Sequence, residues 1–516
     1  MSLRTLLTTL ATAALALGAG TVSAGAQGKA HDTRADYTPF AKFTPLPASS
    51  TCPGEGPGRQ AKPFVLPPDY LQQVVAEETD TIGTPPDSGP TEDLWDMLTQ
   101  NESGKHAARY LYRTHEVGAA PSSGDPPRAP GGAAVTVTDL KTGITRTLAE
   151  RNDWERFDGI VWTPWGTILA AEETIRQGRS DPNVPQALGG LVYELFVDRK
   201  EPWKLDPSRE RITAPEDGTT DFLQDGIRAR PALGAKSHEG IRFDRRGWNY
   251  GIAESRGQTV AGQSGGVFRF VPDRKGDLSS GQLSALRTAD RRYGPGSWIP
   301  LDRSAVQVDA DAEAERRDVN QYQRPEDVET GESTGVDVLN HGWTLYVAIT
   351  EGAEMGVMNV DLRDPARPFA YPYAGPAAGN ATPPVFTSSD NLALDRKGNL
   401  AIAEDGGSQG GGDDVWIAAP PQPDRGRRDD EYEPARTVQR FASGKDCVAE
   451  PTGIYFAMQG TERWSKGPMT ALKAYDERTV NSETLFVNRQ HAGQTSPVDQ
   501  TVAIAPDERP RGRRNH

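Results

Sequence analysis

Acidic side chains stand at matching places in segments of this chain that resemble one another. Glu239 and Asp390 each lie just ahead of such a segment, Phe243–Glu254 in one case and Leu394–Glu404 in the other. Each segment consists of a hydrophobic strand, an Asp-x-x-Gly turn and a second strand that ends in Ala-Glu. Repeated hairpins indicate a radial or stacked β architecture. We therefore expect carboxylates at equivalent strand ends to converge on one place.

The repeats predict an all-β fold, a six-bladed β-propeller with inserted loops and short helices. A sixth blade comes from the strands within residues 110–148. A short helix is expected around Glu92 to Thr99, and a charged loop from Ser304 to Gln323. The repeats start roughly 60 to 90 residues apart, near Asp158, Glu239, Glu326, Asp390 and Glu450.

The acids of the repeats predict a polynuclear metal site. The innermost strand of every blade lines the channel of a propeller, so acids at the same strand end form a ring. Such a cluster stays ionised only when cations neutralise it, and oxygen ligands suit hard cations such as Ca²⁺. Whether Glu254 and Glu404 reach the metals is left open by the strand register. The candidate ring is Glu172, Glu173, Glu239, Glu326, Asp390 and Glu450, with Asn391 and His491 nearby in the pattern.

Charge and composition limit the partners. The formal net charge of −15 argues against a nucleic-acid partner, which requires a basic surface. No Cys-x-x-Cys or His-x-x-x-His zinc spacing occurs, and seven histidines are too few for an imidazole-rich site. We expect a monomer that acts on a small molecule.

The chain divides into four predicted parts. Residues 1–26 read as a Sec-type signal peptide, with Arg4 ahead of a short apolar stretch, so we expect a secreted protein without a membrane span. Residues 27–67 form a Pro-, Gly- and Ala-rich flexible lead-in. Residues 68–505 form the single propeller domain, and residues 506–516 form a disordered basic tail.

The two cysteines have two readings. Cys52 and Cys447 would pair in an exported protein, and the disulfide would tie the N-terminal segment to the last repeat. Alternatively, they are two unrelated free thiols.

Six segments of the chain form a recognisable series. They are Thr163–Thr167 with Glu172 and Glu173, Lys236–Gly240, Arg324–Asp327, Ser389–Asp395, Glu450–Gly453 and Leu485–His491. In this order they resemble the PhoX-type alkaline phosphatases, the wider family known as DUF839. The resemblance covers the chain from about Asp158 to Gly493 and implies a six-bladed propeller that hydrolyses phosphomonoesters. It also implies calcium and a pair of irons in the central pocket.

The resemblance implies roles for individual residues. Arg324 would bind the phosphate, because a guanidinium can grip two phosphate oxygens at once. A surface ion pair with Asp327 or Glu329 is the alternative for this arginine. The implied metal ligands or their immediate neighbours are Glu172, Glu173, Glu239, Glu326, Asp390, Asn391 and Glu450.

Two departures from the family pattern bear on iron. The family implies a cysteine thiolate that bridges the irons just before the glutamate pair, where this chain has Ala171. Cys447 is the one other thiol that could serve, if it is not in a disulfide. The twin-arginine export signal of iron-loaded members is absent, since Arg4 stands alone. The sequence therefore favours several calcium ions and leaves the di-iron centre in doubt.

Three functions stay open at this point. The first is the phosphatase, acting on small phosphorylated substrates. The second is a calcium-binding propeller of the lactonase or phosphodiesterase type, with one metal and fewer acids. The third is a non-catalytic secreted propeller, in which calcium only holds the blades together. Arg324 favours the first, because a purely structural calcium site has no use for a neighbouring cation.

Overall fold

The computed structural model describes residue 40 and residues 42–507 with gaps. The gaps are 50, 53, 55–59, 83–93, 119–132, 152, 175–180, 182, 211–224, 332–342, 380–381, 407–412, 422–431, 459–468, 470–482 and 491–497. The predicted signal peptide, most of the predicted basic tail and His491 lie outside the described residues.

Short strands dominate the described chain, as the Gly- and Pro-rich sequence predicts. One α-helix, α1 (Val306–Arg316), accompanies them, with short 3-10 helices at Glu78–Asp80, Pro207–Arg209, Pro231–Leu233 and Pro376–Ala378. The strands are β1 (Phe64–Val65), β2 (Tyr70–Glu77), β3 (Thr81–Ile82), β4 (Trp95–Gln100), β5 (Tyr110–His115), β6 (Ala134–Asp139), β7 (Ile144–Glu150), β8 (Phe157–Trp162), β9 (Ile168–Glu172), β10 (Val192–Leu195), β11 (Ile227–Ala229), β12 (Ile241–Phe243), β13 (Asn249–Ile252), β14 (Val267–Arg274), β15 (Asp277–Thr288), β16 (Gly294–Pro300), β17 (Gln323–Thr330), β18 (Thr344–Glu351), β19 (Gly356–Asp361), β20 (Phe369–Ala374), β21 (Ser389–Leu394), β22 (Leu400–Glu404), β23 (Asp414–Ala419), β24 (Thr437–Gly444), β25 (Glu450–Phe456), β26 (Leu485–Gln490) and β27 (Gln500–Pro506).

The strands form five hydrogen-bonded sheets in a propeller-like arrangement. Four sheets have four or five strands each: β3-β7-β6-β5-β4, β11-β10-β9-β8, β1-β24-β23-β22-β21 and β2-β27-β26-β25. The fifth has nine strands, in the order β12-β13-β14-β15-β16-β20-β19-β18-β17. Within the described residues the hydrogen bonding therefore gives four blades and one larger sheet, instead of the six separate blades that the repeats predict.

The nine-stranded sheet differs from the prediction because two edge strands pair. β16 and β20 join through two residue pairs, Gly294 with Ala370 and Pro295 with Phe369. The two end strands of the sheet, β12 and β17, also lie against each other, so the sheet curls almost closed. An unpaired strand edge readily pairs with another strand. Here the pairing joins two segments that the sequence predicts as separate repeats.

Six strands form a closed ring at the centre of the molecule. β4 contacts β8, β8 contacts β12, and the contacts continue through β17, β21 and β25 back to β4. Each of these strands is the last in its sheet, so one of its edges faces the ring. Six clusters of buried apolar side chains lie between consecutive groups of strands around this ring.

The repeated hairpins fold as their Asp-x-x-Gly turns predict. Asp244 accepts hydrogen bonds from the backbone N–H of Arg246 (2.9 Å) and Trp248 (3.0 Å), between β12 and β13. Asp395 does the same between β21 and β22, from Lys397 and Asn399 at 2.8 Å each. The turn glycines have φ of +80° and +82°, a conformation that residues with a Cβ rarely adopt.

Two local predictions are wrong. The helix expected around residues 92–99 is strand β4, whose six residues are all buried. Because both faces of the strand are buried, its sequence lacks the polar–apolar alternation that is typical of a strand and was mistaken for a short helix. The charged loop expected at Ser304–Gln323 contains α1, which packs Val306, Ala310 and Ala314 into the core.

The N-terminal part of the domain joins the C-terminal sheets. β2 pairs with β27, and β1, within the segment predicted as a lead-in, pairs with β24. Phe40 is buried against Tyr70, Phe441 and other aromatic rings. Cys52 and Cys447 form a disulfide with their Cα atoms 5.6 Å apart, across 395 positions of sequence. A crosslink over so long a loop stabilises a fold by about 2–5 kcal/mol.

Candidate metal centre

The innermost strands share a local irregularity. In five of them the pairing with the next strand skips two residues, which marks a β-bulge. The skipped pairs lie between Trp95 and Leu98, Phe157 and Ile160, Pro325 and Val328, Ser389 and Leu392, and Thr452 and Tyr455. In the sixth, Glu239 and Gly240 directly precede β12. The regular ladder is therefore interrupted in five ring strands, and in the sixth it begins only after the matching residues.

An acid is the first of the two skipped residues in four strands, and Glu239 has the matching place ahead of β12. The sixth strand has Gly453 there, with φ of +54°. A Cβ at this glycine would lie 2.1 Å from the backbone oxygen of Asp96, so no larger residue fits. We call the five carboxylic residues the bulge acids: Asp96, Asp158, Glu239, Glu326 and Asp390.

The backbone ahead of the bulge acids is strained in a repeated way. Four non-glycine residues with positive φ each stand two positions before a bulge acid. Such a conformation costs about 1–2 kcal/mol per residue, and it concentrates at functional sites. The four are Leu94 (53°), Arg156 (42°), Arg324 (49°) and Ser388 (45°).

Three bulge acids come close enough to share a cation. Carboxylate oxygens of Glu239, Glu326 and Asp390 all lie within 4.8 Å of one another, and all three side chains are buried. Burial raises the pKa of all three, to about 7 for Glu326, and like-charged neighbours add to the shift at Glu239 and Asp390. Oε2 of Glu239 and Oε1 of Glu326 have no hydrogen-bond partner among the described residues. Hard cations favour such unsatisfied oxygens.

The other two bulge acids extend the cluster. Asp96 and Asp158 share a side-chain hydrogen bond, and burial raises the pKa of both. Glu326 and Asp390 of the triad also contribute repulsion, Glu326 at Asp96 and Asp390 at Asp158. Oδ1 of Asp158 is buried without a hydrogen-bond partner in the described chain. The five bulge acids therefore form one electrostatic unit.

A second group of acids follows the second strands of the sheets. Glu116 comes after β5, Glu173 after β9, Glu254 after β13 and Asp405 after β22, and we call these four the outer acids. Burial, then Glu116 and Glu254, raises the pKa of Glu173. Glu450, the first residue of β25, has its pKa raised by burial and then by Asp405 and Asp390.

Arg324 lies between the two groups of acids. Its Nε donates to Oε1 of Glu254 at 2.7 Å, and its Nη1 donates to Oδ2 of Asp405 at 3.3 Å. Its Nη2 is 2.9 Å from Oε1 of Glu326, without the alignment of a hydrogen bond. Burial alone would lower the pKa of this arginine, but Glu326 and Glu254 hold it above its usual value. The guanidinium is thus a fixed positive charge beside the triad.

The structure brings together most of the predicted site residues, but not all. Glu239, Glu326 and Asp390 meet in the triad, with Arg324 beside Glu326. Asn391 donates to Oδ1 of Asp390 at 3.1 Å and accepts from the backbone of Gly453, so it orients a triad acid.

Glu172 and Glu404 lie outside the cluster. The oxygens of Glu172 accept backbone N–H groups of Glu155 (2.8 Å) and Leu191 (2.9 Å), and burial raises its pKa to about 8. Glu404 accepts the N–H of Thr387 at 2.7 Å. Both carboxylates therefore hold loops in place.

Sequence reasoning missed Asp96, Asp158 and two of the outer acids, Glu116 and Asp405. The signal was present: an acid, one residue, then alternating apolar residues recurs at Asp158, Glu239 and Asp390. Aligning the repeats on that acid selects Asp158 rather than Glu172 for the ring. Asp96 was not predicted as a site residue because its strand was predicted as a helix. Glu254, which the strand register left open, is an outer acid.

Another charged group follows the bulge acids along β12 and β17: Arg242 and Glu329 stand three residues after Glu239 and Glu326, and Asp327 stands one residue after Glu326. Arg242 on β12 contacts Glu329 (3.3 Å) and Asp327 (4.0 Å) of β17. The oxygens of Asp327 also accept the backbone N–H of Val328 (2.7 Å) and Leu392 (2.8 Å). We call these three the Arg242 group. Arg242 and these backbone N–H groups lower the pKa of Asp327, although burial still raises it overall to about 7.

Softer metal ligands are absent from the described part of the cluster. Cys447 is bound to Cys52. Ala171, where a bridging thiolate would stand, is a buried residue of β9. The ring of His238 lies 2.5 Å from Nζ of Lys236 and 2.8 Å from the backbone oxygen of Gly234, so it is engaged elsewhere.

Comparison with solved structures identifies the fold. The fold is similar to that of PhoX from Pseudomonas fluorescens. That protein was solved in complex with vanadate, a transition-state analogue; the TM-score is 0.53 at 18% identity, over 90% of this chain and 98% of the other. Neither protein-family models nor curated protein sequences match the chain.

Weaker likenesses extend to other proteins. The gluconolactonase XC5397 from Xanthomonas campestris has a TM-score of 0.37 at 11% identity, over 89% of this chain and 98% of the other. A protein of unknown function from Dyadobacter fermentans has a TM-score of 0.41 at 7% identity, over 85% and 100%. In the described part of this chain, no helix is long and apolar enough to cross a membrane.

Proposed function

We propose that this protein is a metal-dependent hydrolase of phosphomonoesters, with a polynuclear calcium site in the channel of a six-bladed propeller. One observation carries the proposal: three buried carboxylates that can share a cation lie beside a fixed guanidinium, with Arg324 Nη2 at 2.9 Å from Glu326. A purely structural calcium site gains nothing from a neighbouring positive charge. A phosphoryl group, in contrast, is bound well by cations and an arginine together.

The donor set fits hard divalent cations. Every charged donor of the triad is a carboxylate, and two of its oxygens lack hydrogen-bond partners among the described residues. The remaining bulge acids, with Glu173 and Glu450, supply oxygens for more than one ion. When bound, such ions would polarise the phosphoryl oxygens and offset the charge that develops during transfer.

The donor set does not fit a thiolate-bridged iron pair. Ala171 supplies no ligand atom, and the sulfur of Cys447 is held in the disulfide with Cys52. We therefore propose calcium, and no part of the mechanism depends on iron.

Several residues of the chain have distinct parts in this mechanism. Arg324 would bind oxygens of the phosphoryl group through the Nη1 and Nη2 hydrogens that its hydrogen bonds to Glu254 and Asp405 leave free. Glu254 and Asp405 hold that guanidinium on two sides and so fix its direction. Asn391 holds the carboxylate of Asp390. Fixed donors need no reorganisation as charge develops, which is the main source of their benefit.

We also propose that the propeller has six blades and that the protein is secreted. The ring of six innermost strands and the six apolar clusters support reading the nine-stranded sheet as two blades joined at β16 and β20. The apolar N-terminal stretch and the disulfide between Cys52 and Cys447 support export through the Sec route.

The test is hydrolysis of p-nitrophenyl phosphate at alkaline pH, with the protein reconstituted in Ca²⁺. We expect turnover that EGTA abolishes and Ca²⁺ restores. Arg324→Gln should lower kcat/KM by about 100-fold or more, as loss of a transition-state contact does. Arg303→Gln is the matched control, since Arg303 forms an exposed ion pair with Asp273 at 2.7 Å. A calcium-replete protein that hydrolyses no phosphomonoester would refute the proposal and favour the single-metal lactonase type.

A further inference from the structure

Two arginines have equivalent positions in the repeat. Arg156 stands two residues before Asp158, and Arg324 stands two residues before Glu326. Both have the left-handed backbone described above, with φ of 42° and 49°. A non-glycine residue carries this strain only when the surrounding structure imposes it. The backbone therefore presents both side chains from the same place in their blades.

The acidic partners of the two arginines are equivalent as well. Arg156 Nη1 is 2.9 Å from Oε1 of Glu116, which follows β5, the second strand of the sheet before β8. Arg324 Nε is 2.7 Å from Oε1 of Glu254, which follows β13, the second strand of the strand group before β17. The two ion pairs are thus copies related by the internal repeat.

The two arginines differ in the donors that they leave free. All three nitrogens of Arg324 face carboxylates. Arg156 uses only Nη1, and no described residue accepts a hydrogen bond from its Nε or Nη2. Its side chain is 32% exposed, against 22% for Arg324. Arg156 therefore offers unused donors that solvent reaches.

Both arginines adjoin one continuous set of acids. Glu173 shares a hydrogen bond with Glu254, the partner of Arg324, and interacts with both Glu116 and Arg156. Glu116 in turn accepts a hydrogen bond of 3.3 Å from Gln490, which also contacts Asp96 at 3.4 Å. Arg156 thus lies at the edge of the same cluster as Arg324. The carboxylates beside it hold the guanidinium charged and in position.

We propose that Arg156 is a second anion subsite, which binds a negatively charged group carried elsewhere on the substrate. The inference rests on the proposed function, in which the phosphoryl group being transferred lies at Arg324. It specifies the substrate class: phosphomonoesters with a second anionic group, such as a carboxylate or another phosphate. Arg156 is then a specificity-determining residue, because it contacts the part of the substrate that does not react.

The experiment compares three phosphomonoesters in the same excess of Ca²⁺. Ethyl phosphate has no second anion, whereas 2-phosphoglycolate and 6-phosphogluconate carry a carboxylate at short and long range. We expect the wild-type protein to prefer at least one carboxylate compound by about tenfold in kcat/KM, the effect of one charge-assisted hydrogen bond. Arg156→Gln should abolish that preference through KM, and Arg156→Lys should restore part of it.

Two further results decide the inference. Kinetics of ethyl phosphate should stay within about twofold of wild type in Arg156→Gln, since its contacts do not include Arg156. Arg109→Gln is the matched control, because it breaks a partly buried ion pair with Asp139 (2.8 Å) outside the acid cluster. A preference that survives Arg156→Gln overturns the inference, as does an equal loss of kcat on all three compounds.

Calorimetry separates the subsite from catalysis. Binding of 2-phosphoglycolate, 6-phosphogluconate and ethyl phosphate is measured on the wild-type protein and on Arg156→Gln. A carboxylate preference that disappears in the variant supports the subsite, even if the wild-type protein hydrolyses none of the compounds and the proposed function fails. A wild-type protein without any preference in binding overturns the subsite, whatever its turnover.

Discussion

Buried charge is neutralised differently in two neighbouring groups of residues on the ring of inner strands. In the Arg242 group, one guanidinium compensates Glu329 and Asp327, and backbone N–H groups complete the contacts of Asp327. In the neighbouring triad, Glu239, Glu326 and Asp390 share one arginine at their edge, and two of their oxygens have no hydrogen-bond partner in the described chain. Both groups are buried, so burial alone does not explain the difference.

The comparison separates buried acids that have a counter-charge within the protein from buried acids that have too few. A buried ionised carboxylate costs several kcal/mol unless it is paired, so the protein supplies a partner, takes one from solution or keeps the group protonated. The Arg242 group has its partner built in and serves the fold. The triad has one neighbouring arginine for three carboxylates, and in the proposed function a divalent cation supplies the remaining positive charge. Acid clusters elsewhere can be judged by the same count of internal partners.

The largest expected effect is the loss of the built-in cation. Arg242→Met should destabilise the protein by about 3–5 kcal/mol, because it leaves Asp327 and Glu329 buried without their counter-charge. Urea unfolding measures the change. Arg303→Ala, which removes an exposed ion pair with Asp273 (2.7 Å), is the control and should stay within about 1 kcal/mol of wild type. If both variants changed the free energy of unfolding by the same small amount, the distinction between the Arg242 group and the triad would be lost.

The next effect is on the pH dependence of the calcium-free protein. Glu326 has a folded pKa of about 7, above its ordinary value of 4.5. A raised folded pKa gives stability that is present below pH 4.5 and is lost as the pH rises through 7. The loss is about 3 kcal/mol for this group alone. We expect thermal denaturation in EGTA to show a Tm that falls from pH 5 to pH 8.

Calcium should reverse that trend, because it binds the deprotonated carboxylates. The increase in Tm on adding Ca²⁺ should therefore grow over the same pH range. A calcium-free Tm that rises from pH 5 to pH 8 would contradict the raised pKa of the triad.

A smaller effect of opposite sign is expected within the triad. Glu239→Gln removes one of the mutually repelling carboxylates, so the calcium-free protein should gain about 1 kcal/mol. The same change should abolish most of the stabilisation by Ca²⁺ and most of the turnover. Melting curves with EGTA and with Ca²⁺ give both numbers. A variant that loses stability in EGTA and keeps its full response to Ca²⁺ would place Glu239 with the structural acids.

The smallest effect on metal binding is expected at Glu172. Glu172→Gln keeps one acceptor for the backbone N–H groups that the carboxylate holds, and should cost about 1 kcal/mol of stability. Its calcium content should equal that of wild type. Glu173→Gln, one residue further, is the paired variant and should reduce it. Equal calcium loss in both variants would show that the two neighbouring acids have the same role.

Much of the fold could be read from the repeats, because turn chemistry is local. The Asp244 and Asp395 turns and the strands β5, β6 and β7 follow from residues next to one another in sequence. The merger of two repeats into nine strands could not be read, since it depends on two residue pairs between β16 and β20, far apart in the chain. β4 was missed because both its faces are buried.

The sequence predicted the kind of site, a cluster of carboxylates, but only some of the residues that form it. Glu239, Glu326 and Asp390 stand out because each has a recognisable segment around it. Glu172 and Glu173 are indistinguishable by sequence. Because successive side chains at a strand end point to opposite sides, one lies in the core and the other in the cluster. The β-bulges and the positive φ of Arg156 and Arg324 have no sequence signature, because neither residue type favours them.

Metal analysis of the purified protein tests the central claim most directly. After the protein is loaded with Ca²⁺ and the excess is removed by exchange into metal-free buffer, elemental analysis should find at least one calcium ion per chain in wild type. It should find less in Glu239→Gln and in Asp390→Asn, with Glu172→Gln unchanged. Calcium absent from the folded wild-type protein, or present equally in all four proteins, would contradict a cation site built by the bulge acids.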